Sequence, residues 1–326
     1  MKNNTRNRMK GNMMLMTTAL IWGTAFVAQK AGMDLVSPVA FSGIRMLVGA
    51  FALIPVILIL GRKKKEPGKE KAPLDKTLII GGVCCGTALC AAGNVQQIGL
   101  YYTSVSHTGF ITALYVVIVP LMELFLKKRI SLIMWCCAAA SAVGLYLLCI
   151  PAGGFGSINM GDIIVFICAI CYAVHILVID HFSPKVDGVK LSCIQFFVAG
   201  SLSLLIMPIV DPALGFDLPS AGDVIASWFT ILYAGVMSCG IAFTFQVLGQ
   251  KDTDPTIASM ILCLESVFAL IAGMILLGEL MSLRELIGCI IMFAAIVVAN
   301  LPAAQAPKET ADRIRMTLSN VTSLLR

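Results

Sequence analysis

Charge is scarce in this chain. Only 13% of its 326 residues are Asp, Glu, Lys or Arg, against about 25% in an ordinary soluble domain, and that excludes a water-soluble globule. Histidine is limited to three residues. The sequence has no Cys/His spacing of a zinc site, no nucleophile–base motif, no P-loop and no glycine-rich nucleotide loop. ATP hydrolysis, a resident metal and a bound cofactor are therefore not expected. No polar stretch is long enough to house a soluble catalytic domain, and a membrane-embedded enzyme would need acid–base groups that converge, of which the interior offers little beyond Glu265 and scattered His.

What is abundant is apolar: 58% hydrophobic residues and a mean hydropathy of +0.91. A membrane span needs about 20 mostly apolar residues to cross about 30 Å of hydrocarbon. Ten such stretches are read, over residues 13–30, 38–60, 77–99, 103–126, 131–150, 161–180, 190–210, 223–249, 255–277 and 284–302. The predicted fold is an all-α integral membrane protein with ten transmembrane helices. Its joints carry turn formers such as Ser37-Pro38, Pro151-Ala152-Gly153-Gly154 and the run from Asp211 to Pro219.

Lys and Arg accumulate on cytoplasmic loops. With residues 1–12 as a cytoplasmic tail, Arg6, Arg8, Lys10, the run from Arg62 to Lys71, Lys127, Lys128, Arg129, Lys185, Lys190, Lys251 and the tail 303–326 share one side, leaving Lys30 and Arg284 on the other. Both termini are thus expected to be cytoplasmic in a multi-pass cell-membrane protein, with a bacterial cytoplasmic membrane as the first choice. The net charge of +6 is explained by topology and contact with anionic lipid, so no nucleic-acid partner is expected. In the tail, Ile314, Leu318, Val321 and Leu325 share one helical face, the pattern of a short amphipathic helix. All 12 Cys fall inside predicted spans, where free Cys packs as a small apolar residue; the Cys168/Cys171 pair therefore reads as packing.

A partial repeat runs at a shift of 150 residues: Gln96, Gly99 and Thr103 meet Gln246, Gly249 and Thr253, and Ser42 meets Ser192. Residues 13–150 and 151–302 then form two five-helix repeats. Five is odd, so the second copy enters from the opposite side and the pair is inverted, an architecture that secondary transporters use for alternating access.

The stretches from Ile21 to Arg45, from Thr103 to Pro120 and from Ala258 to Ser282 resemble the first two, fourth and ninth spans of the EamA family of the drug/metabolite transporter superfamily. The resemblance covers nearly the whole chain and implies transport of small organic metabolites without fixing the cargo. It departs at Ser266, where relatives often have Pro, and at Lys128 and Arg129, where the fourth span often ends in Gly-Glu.

Mid-depth polar residues are the candidates for holding cargo. Trp22, Asn94, Thr112, Tyr115 and Glu265 are taken as substrate-binding, with Tyr115 and Glu265 equivalent under the 150-residue shift. Arg45, His107, His175 and Gln246 are taken as gating or electrostatic, because ionisable and amide groups in a membrane seek an interior or watery cavity. Arg45 suits a carboxylate or a helix tie. Glu265 suits a coupling proton, an ammonium group, or a fixed partner such as Arg45 or Tyr115. Glu123 and Glu279, near span ends, are expected to reach water. The function expected is secondary transport of amino-acid-like metabolites by alternating access, with a proton as a candidate coupling ion and no assigned oligomeric state. The alternatives are drug or organic-cation efflux and, further off, a non-transporting sensor or scaffold or a membrane-embedded enzyme.

Overall fold

The computed structural model describes residues 2–63, 75–128, 130–150, 154, 158–277, 281–301 and 304. The amphipathic tail, Glu279 and most of the basic run after Arg62 lie outside them. Every regular element among the described residues is helical. In chain order these are α1 (Lys2–Gly32), α2 (Pro38–Lys63), α3 (Lys76–Tyr102), α4 (Val105–Ala113), α5 (Tyr115–Phe125), α6 (Leu132–Cys149), α7 (Met160–Phe182), α8 (Gly188–Ala213), α9 (Ala221–Ala226), α10 (Trp228–Leu232), a π-helical segment (Tyr233–Phe243), α11 (Thr244–Gln250), α12 (Pro255–Leu262), α13 (Glu265–Leu277) and α14 (Leu283–Ala299). Among the described residues, eight segments are long and apolar enough to cross a membrane, α4–α5 and α10–α11 each counting as one. The apolar stretch Pro255–Ile271 and the 17-residue α14 are shorter.

Most helices begin where the sequence supplies a cap. Ser104, Ser131, Asn159, Asp187, Ser220, Asp254 and Ser282 each accept a hydrogen bond from the first turn of the helix that follows, satisfying donors that helical bonding leaves free. Helix α2 is capped from a distance as well. Asp211 on α8, fully buried, accepts from the Ser37 hydroxyl at 2.6 Å and from the backbone N–H groups of Val39 and Ala40 at 3.2 Å.

Ties of this kind collect the joints at two ends. At one, Ser37 bonds Asp211, Thr103 bonds Asp162, and Arg284 donates to the Ile150 carbonyl. At the other, Lys128 pairs with Asp180, Thr253 and Asn300 meet on Asn12, and Ser131 donates to the Ala304 carbonyl. The second end carries Arg6, Arg8, Lys10, Lys127, Lys128, Lys185, Lys190 and Lys251, and is called here the basic end.

Between the ends, α2 packs along α8, α6 along α14, α3 on α7 and α8, and α1 on the π segment, α11 and α13. Close approach relies on glycine, as is common where helices associate without a hydrophobic driving force. Any Cβ on Gly249 would lie 2.8 Å from the Gly11 carbonyl oxygen, and one on Gly161 would lie 2.8 Å from the Thr103 nitrogen beside Gly99. These two contacts are related by the 150-residue shift: Gly99 of α3 and Thr103 just after it face Gly161 of α7 as Gly249 and Thr253 face Gly11 of α1.

The fourth and ninth predicted spans are each broken at mid-length. The backbone tightens to a three-residue hydrogen bond at Leu114 N to Ile111 O (3.2 Å) and at Leu264 N to Ile261 O (3.1 Å). The breaks are 150 positions apart, and neither contains a proline. They touch through a thiol, Cys263 Sγ donating to the Ala113 carbonyl at 3.2 Å, so that a carbonyl released from the helical ladder is still partnered.

The eighth span departs from α geometry in its own way. Gly86 of α3 packs on Val198 and the Gln195 carbonyl, while Gly235 packs on Val48 and the Arg45 carbonyl. Val198 and Val48 differ by 150, as do Gln195 and Arg45, but Gly86 and Gly235 differ by 149. Beyond the segment, at Gly99 and Gly249, the shift is 150 again. One extra residue therefore lies between these anchors, and the 11-residue π helix, Tyr233–Phe243, is where the backbone takes it up.

Candidate functional site

Halfway between the ends, next to both breaks, is a small polar chamber of about 30 Å³. Its walls come from α1, α2, α3, α4, α5, α7, α13 and the π segment. The breaks place Tyr115 and Glu265 at the first positions of α5 and α13, and the Tyr115 hydroxyl donates to Glu265 Oε1 at 3.5 Å. Tyr172 donates through its hydroxyl to Gln96 Oε1 at 3.1 Å, and Gln96 Nε2 in turn donates to Thr112 Oγ1 at 3.3 Å. Trp22 closes another wall, its ring edge against Phe243 with centroids 4.6 Å apart and its indole N–H on the Ser238 carbonyl at 3.4 Å.

Arg45 reaches this chamber from α2 and is 1% exposed. Its Nε and Nη2 have no hydrogen-bond partner among the described residues. Guanidinium is permanently charged, and burying a cation without a counter-charge is costly in protein or membrane. Glu265, 3% exposed, lines the same chamber, yet no ion pair joins it to Arg45 among the described residues. A guanidinium and a carboxyl group thus share one cavity without an ion pair between them.

The structure brings together five of the nine residues singled out from sequence: Trp22, Arg45, Thr112, Tyr115 and Glu265. It does not bring Asn94, His107, His175 or Gln246 to the chamber wall. Asn94 donates to Ser203 Oγ at 2.8 Å on α8. His107 lies at the end opposite the basic one, with Nδ1 3.2 Å from Asp162 Oδ1. His175 is buried behind Phe243, and Gln246 is buried on α11. Sequence reading missed Phe26, Tyr172, Ser238 and Phe243 as wall residues. A signal for Tyr172 was present, since it is Trp22 shifted by 150. The expectation that Glu123 reaches water is overturned: it is 2% exposed, with Oε1 taking a hydrogen bond from Lys128 at 2.9 Å and Oε2 one from Thr256 at 2.5 Å. The fourth span ends beneath neighbouring helices there, and the paired lysine replaces water.

Phe26 also forms part of the wall of a second, far larger cavity of about 1140 Å³, bounded by α1, α4, α6, α10, α13 and α14 toward the end opposite the basic one. Val27, Ala31, Val105, Leu147 and Phe229 make it largely apolar, with Ser282, Arg284 and Glu285 at its far margin. The chamber is more than tenfold smaller than this cavity, and Phe26 lines both.

The sequence model of the EamA-like transporter family matches residues 9–150 and again 159–301. An uncharacterized transporter of Archaeoglobus fulgidus is 26% identical over 300 residues, covering 90% of this chain and 87% of its own. The uncharacterized inner membrane transporter YedA of Escherichia coli K12 is 24% identical over 285 residues, 86% of this chain and 87% of its own. A crystal structure of a protein 19% identical in sequence superposes with a TM-score of 0.70 over 89% of this chain and 96% of that one, a likeness of fold.

Proposed function

Because the chain belongs to the EamA-like transporter family, whose model fits it twice over, we propose that this multi-pass membrane transporter carries amino-acid-like zwitterions through ten spans by alternating access. The observation that carries the cargo reading is Arg45, buried in the same chamber as Glu265 with its Nε and Nη2 unpartnered among the described residues. A carboxylate would satisfy the guanidinium with two parallel hydrogen bonds, and an ammonium group would satisfy Glu265. An organic cation without a carboxylate would gain from Glu265 but would leave Arg45 unpaired and repelling it.

Two inverted repeats are supported by features that recur at the 150-residue shift: the breaks at Leu114 and Leu264, the glycine contacts of α3 with α7 and of α11 with α1, and Thr103 on Asp162 against Thr253 on Asn12. In this reading the basic end faces the cytoplasm, following the Lys/Arg asymmetry. The larger cavity then faces outward, and cargo descends from it past Phe26.

The test is uptake of a labelled amino-acid mixture into proteoliposomes containing the purified protein. Uptake should be competed by free amino acids and not by their amides, which keep the ammonium group and lack the carboxylate. A pH gradient imposed on the same vesicles asks whether a proton is coupled. Uptake of organic cations in place of amino acids would move the assignment to drug or cation efflux, and no uptake of either would remove the transport reading for these cargo classes.

A further inference from the structure

We propose that a second cargo half-site lies on the basic-end side of the chamber, formed by Ser192, Gln195 and His175 and sealed in this state by Phe243. It rests on the reading of the chamber as the cargo site. Ser192 and Gln195 are the counterparts of Ser42 and Arg45 under the 150-residue shift. All three members of the proposed half-site are fully buried. Ser192 Oγ, Gln195 Nε2 and His175 Nδ1 have no hydrogen-bond partner among the described residues, while His175 Nε2 lies 3.2 Å from Gln195 Oε1. Buried polar atoms are normally bonded, and Ser192 and Gln195, three positions apart on α8, with His175 bonded to Gln195, leave three that are not.

Their chemistry matches the same cargo with neutral groups. Gln195 Oε1 can only accept, so His175 Nε2 carries the proton of that bond and Nδ1 of the neutral ring is left as an acceptor. The free amide N–H groups of Gln195 and the Ser192 hydroxyl suit a carboxylate; His175 Nδ1 suits an ammonium group. These neutral groups can hydrogen-bond the charged ends of the cargo, but they lack the full opposite charge that a guanidinium or a carboxylate adds to such a bond. Cargo arriving from the chamber of Arg45 and Glu265 would therefore be held more loosely here, which suits release toward the basic end.

The two half-sites differ in what covers them. Near Arg45 the chain has Gly93, where a Cβ would lie 3.9 Å from Arg45 Nη2. At the position 150 residues on it has Phe243, whose ring stands 6.0 Å from His175 and 6.0 Å from Phe196, centroid to centroid. Phe243 also lines the chamber. Its ring thus stands between the chamber it lines and His175 of the neutral half-site.

The experiment uses the full chain in a Cys-depleted background, with Ser192→Cys and Gln195→Cys made singly and Thr112→Cys as the chamber control. Ser192→Cys exchanges a hydroxyl for a thiol of similar size, so folding is not at stake. An impermeant methanethiosulfonate reagent is applied to each face of reconstituted vesicles, with and without an equimolar mixture of the 20 protein amino acids. Both half-site cysteines should react from the basic-end face only, and about fivefold more slowly once the mixture keeps most molecules occupied. No reaction at either position, or reaction that the mixture does not slow while it does protect Thr112→Cys, overturns the half-site and leaves the chamber intact. If Thr112→Cys is not protected either and the wild type takes up no amino acid, the chamber reading falls and the half-site with it.

Discussion

Arg45→Lys keeps the charge of the chamber and removes the planar fork that a carboxylate would grip. If Arg45 binds cargo, half-saturation of amino-acid uptake should rise roughly ten- to hundredfold, the worth of about 1.5–3 kcal/mol for a hydrogen bond to a charged group, with protein abundance unchanged. Normal half-saturation with poor abundance would make Arg45 a helix tie. Glu265→Gln keeps the shape and one acceptor for Tyr115 while removing the negative charge, and should remove the preference for free amino acids over N-acetylated ones, which lack the ammonium group. At this scale the sequence was legible where side chains are rare. A lone Arg and a lone Glu at mid-depth are conspicuous among apolar neighbours, and both line the chamber. Phe26 and Phe243 were not legible, because nothing in the residue type separates a partition from the 14 other Phe of the chain.

The all-helical, apolar character and most helix starts followed from apolar run length and turn formers, while eight of the ten expected spans are long and apolar enough to cross a membrane among the described residues; the three departures from α geometry did not follow. Pro120 lies inside α5 and is not the break; the breaks fall at Leu114 and at Cys263–Leu264, residues that would sit well in any apolar helix. They are settled by contact between the fourth and ninth spans through Cys263 and Tyr115, which is tertiary information. The π segment could have been found by tracking the repeat shift from 149 at Gly86/Gly235 to 150 at Gly99/Gly249, a change that single matches in an apolar chain conceal. Its origin in one extra residue makes a testable claim. Deleting Val236, inside Tyr233–Phe243, should leave a continuous α helix with both flanks in register, and the purified protein should melt cooperatively within about 5 °C of the wild type, the shift of about 1–2 kcal/mol in a chain larger than 150 residues. Deleting one residue from the regular α3, such as Val95, turns every later side chain by about 100° and should abolish folding. Equal damage from both deletions would show that the π geometry is needed for itself.

For the molecule as a whole, a large cavity at one end faces a closure at the other. Glu123 on α5, Lys128 beyond it, Asp180 on α7 and Thr256 on α12 are joined by bonds of 2.9, 3.2 and 2.5 Å, drawing the basic ends of three helices together. Composition gave no sign of it, because Glu123, Lys128, Asp180 and Thr256 meet only through the packing of α5, α7 and α12. Asp254 stands beside this cluster, capping α12 through Thr256 N at 3.0 Å. Crowding that strips away part of its water, and then the charge of Glu123, push its carboxyl up from the usual 3.8 to about 6. Between those values the folded closure binds more protons than the unfolded chain, so stability is gained as pH falls through the window and is lost as pH rises toward 6 and above. Asn caps a helix about as well as Asp and stays neutral, so Asp254→Asn should raise the melting temperature at pH 7.5 and change it little at pH 4. The gain should be modest, since one side of Asp254 remains open to solvent, which screens the repulsion. A melting shift of the same size at both pH values would mean that Asp254 does not feel the Glu123 charge, and that the closure at the basic end is insensitive to this proton.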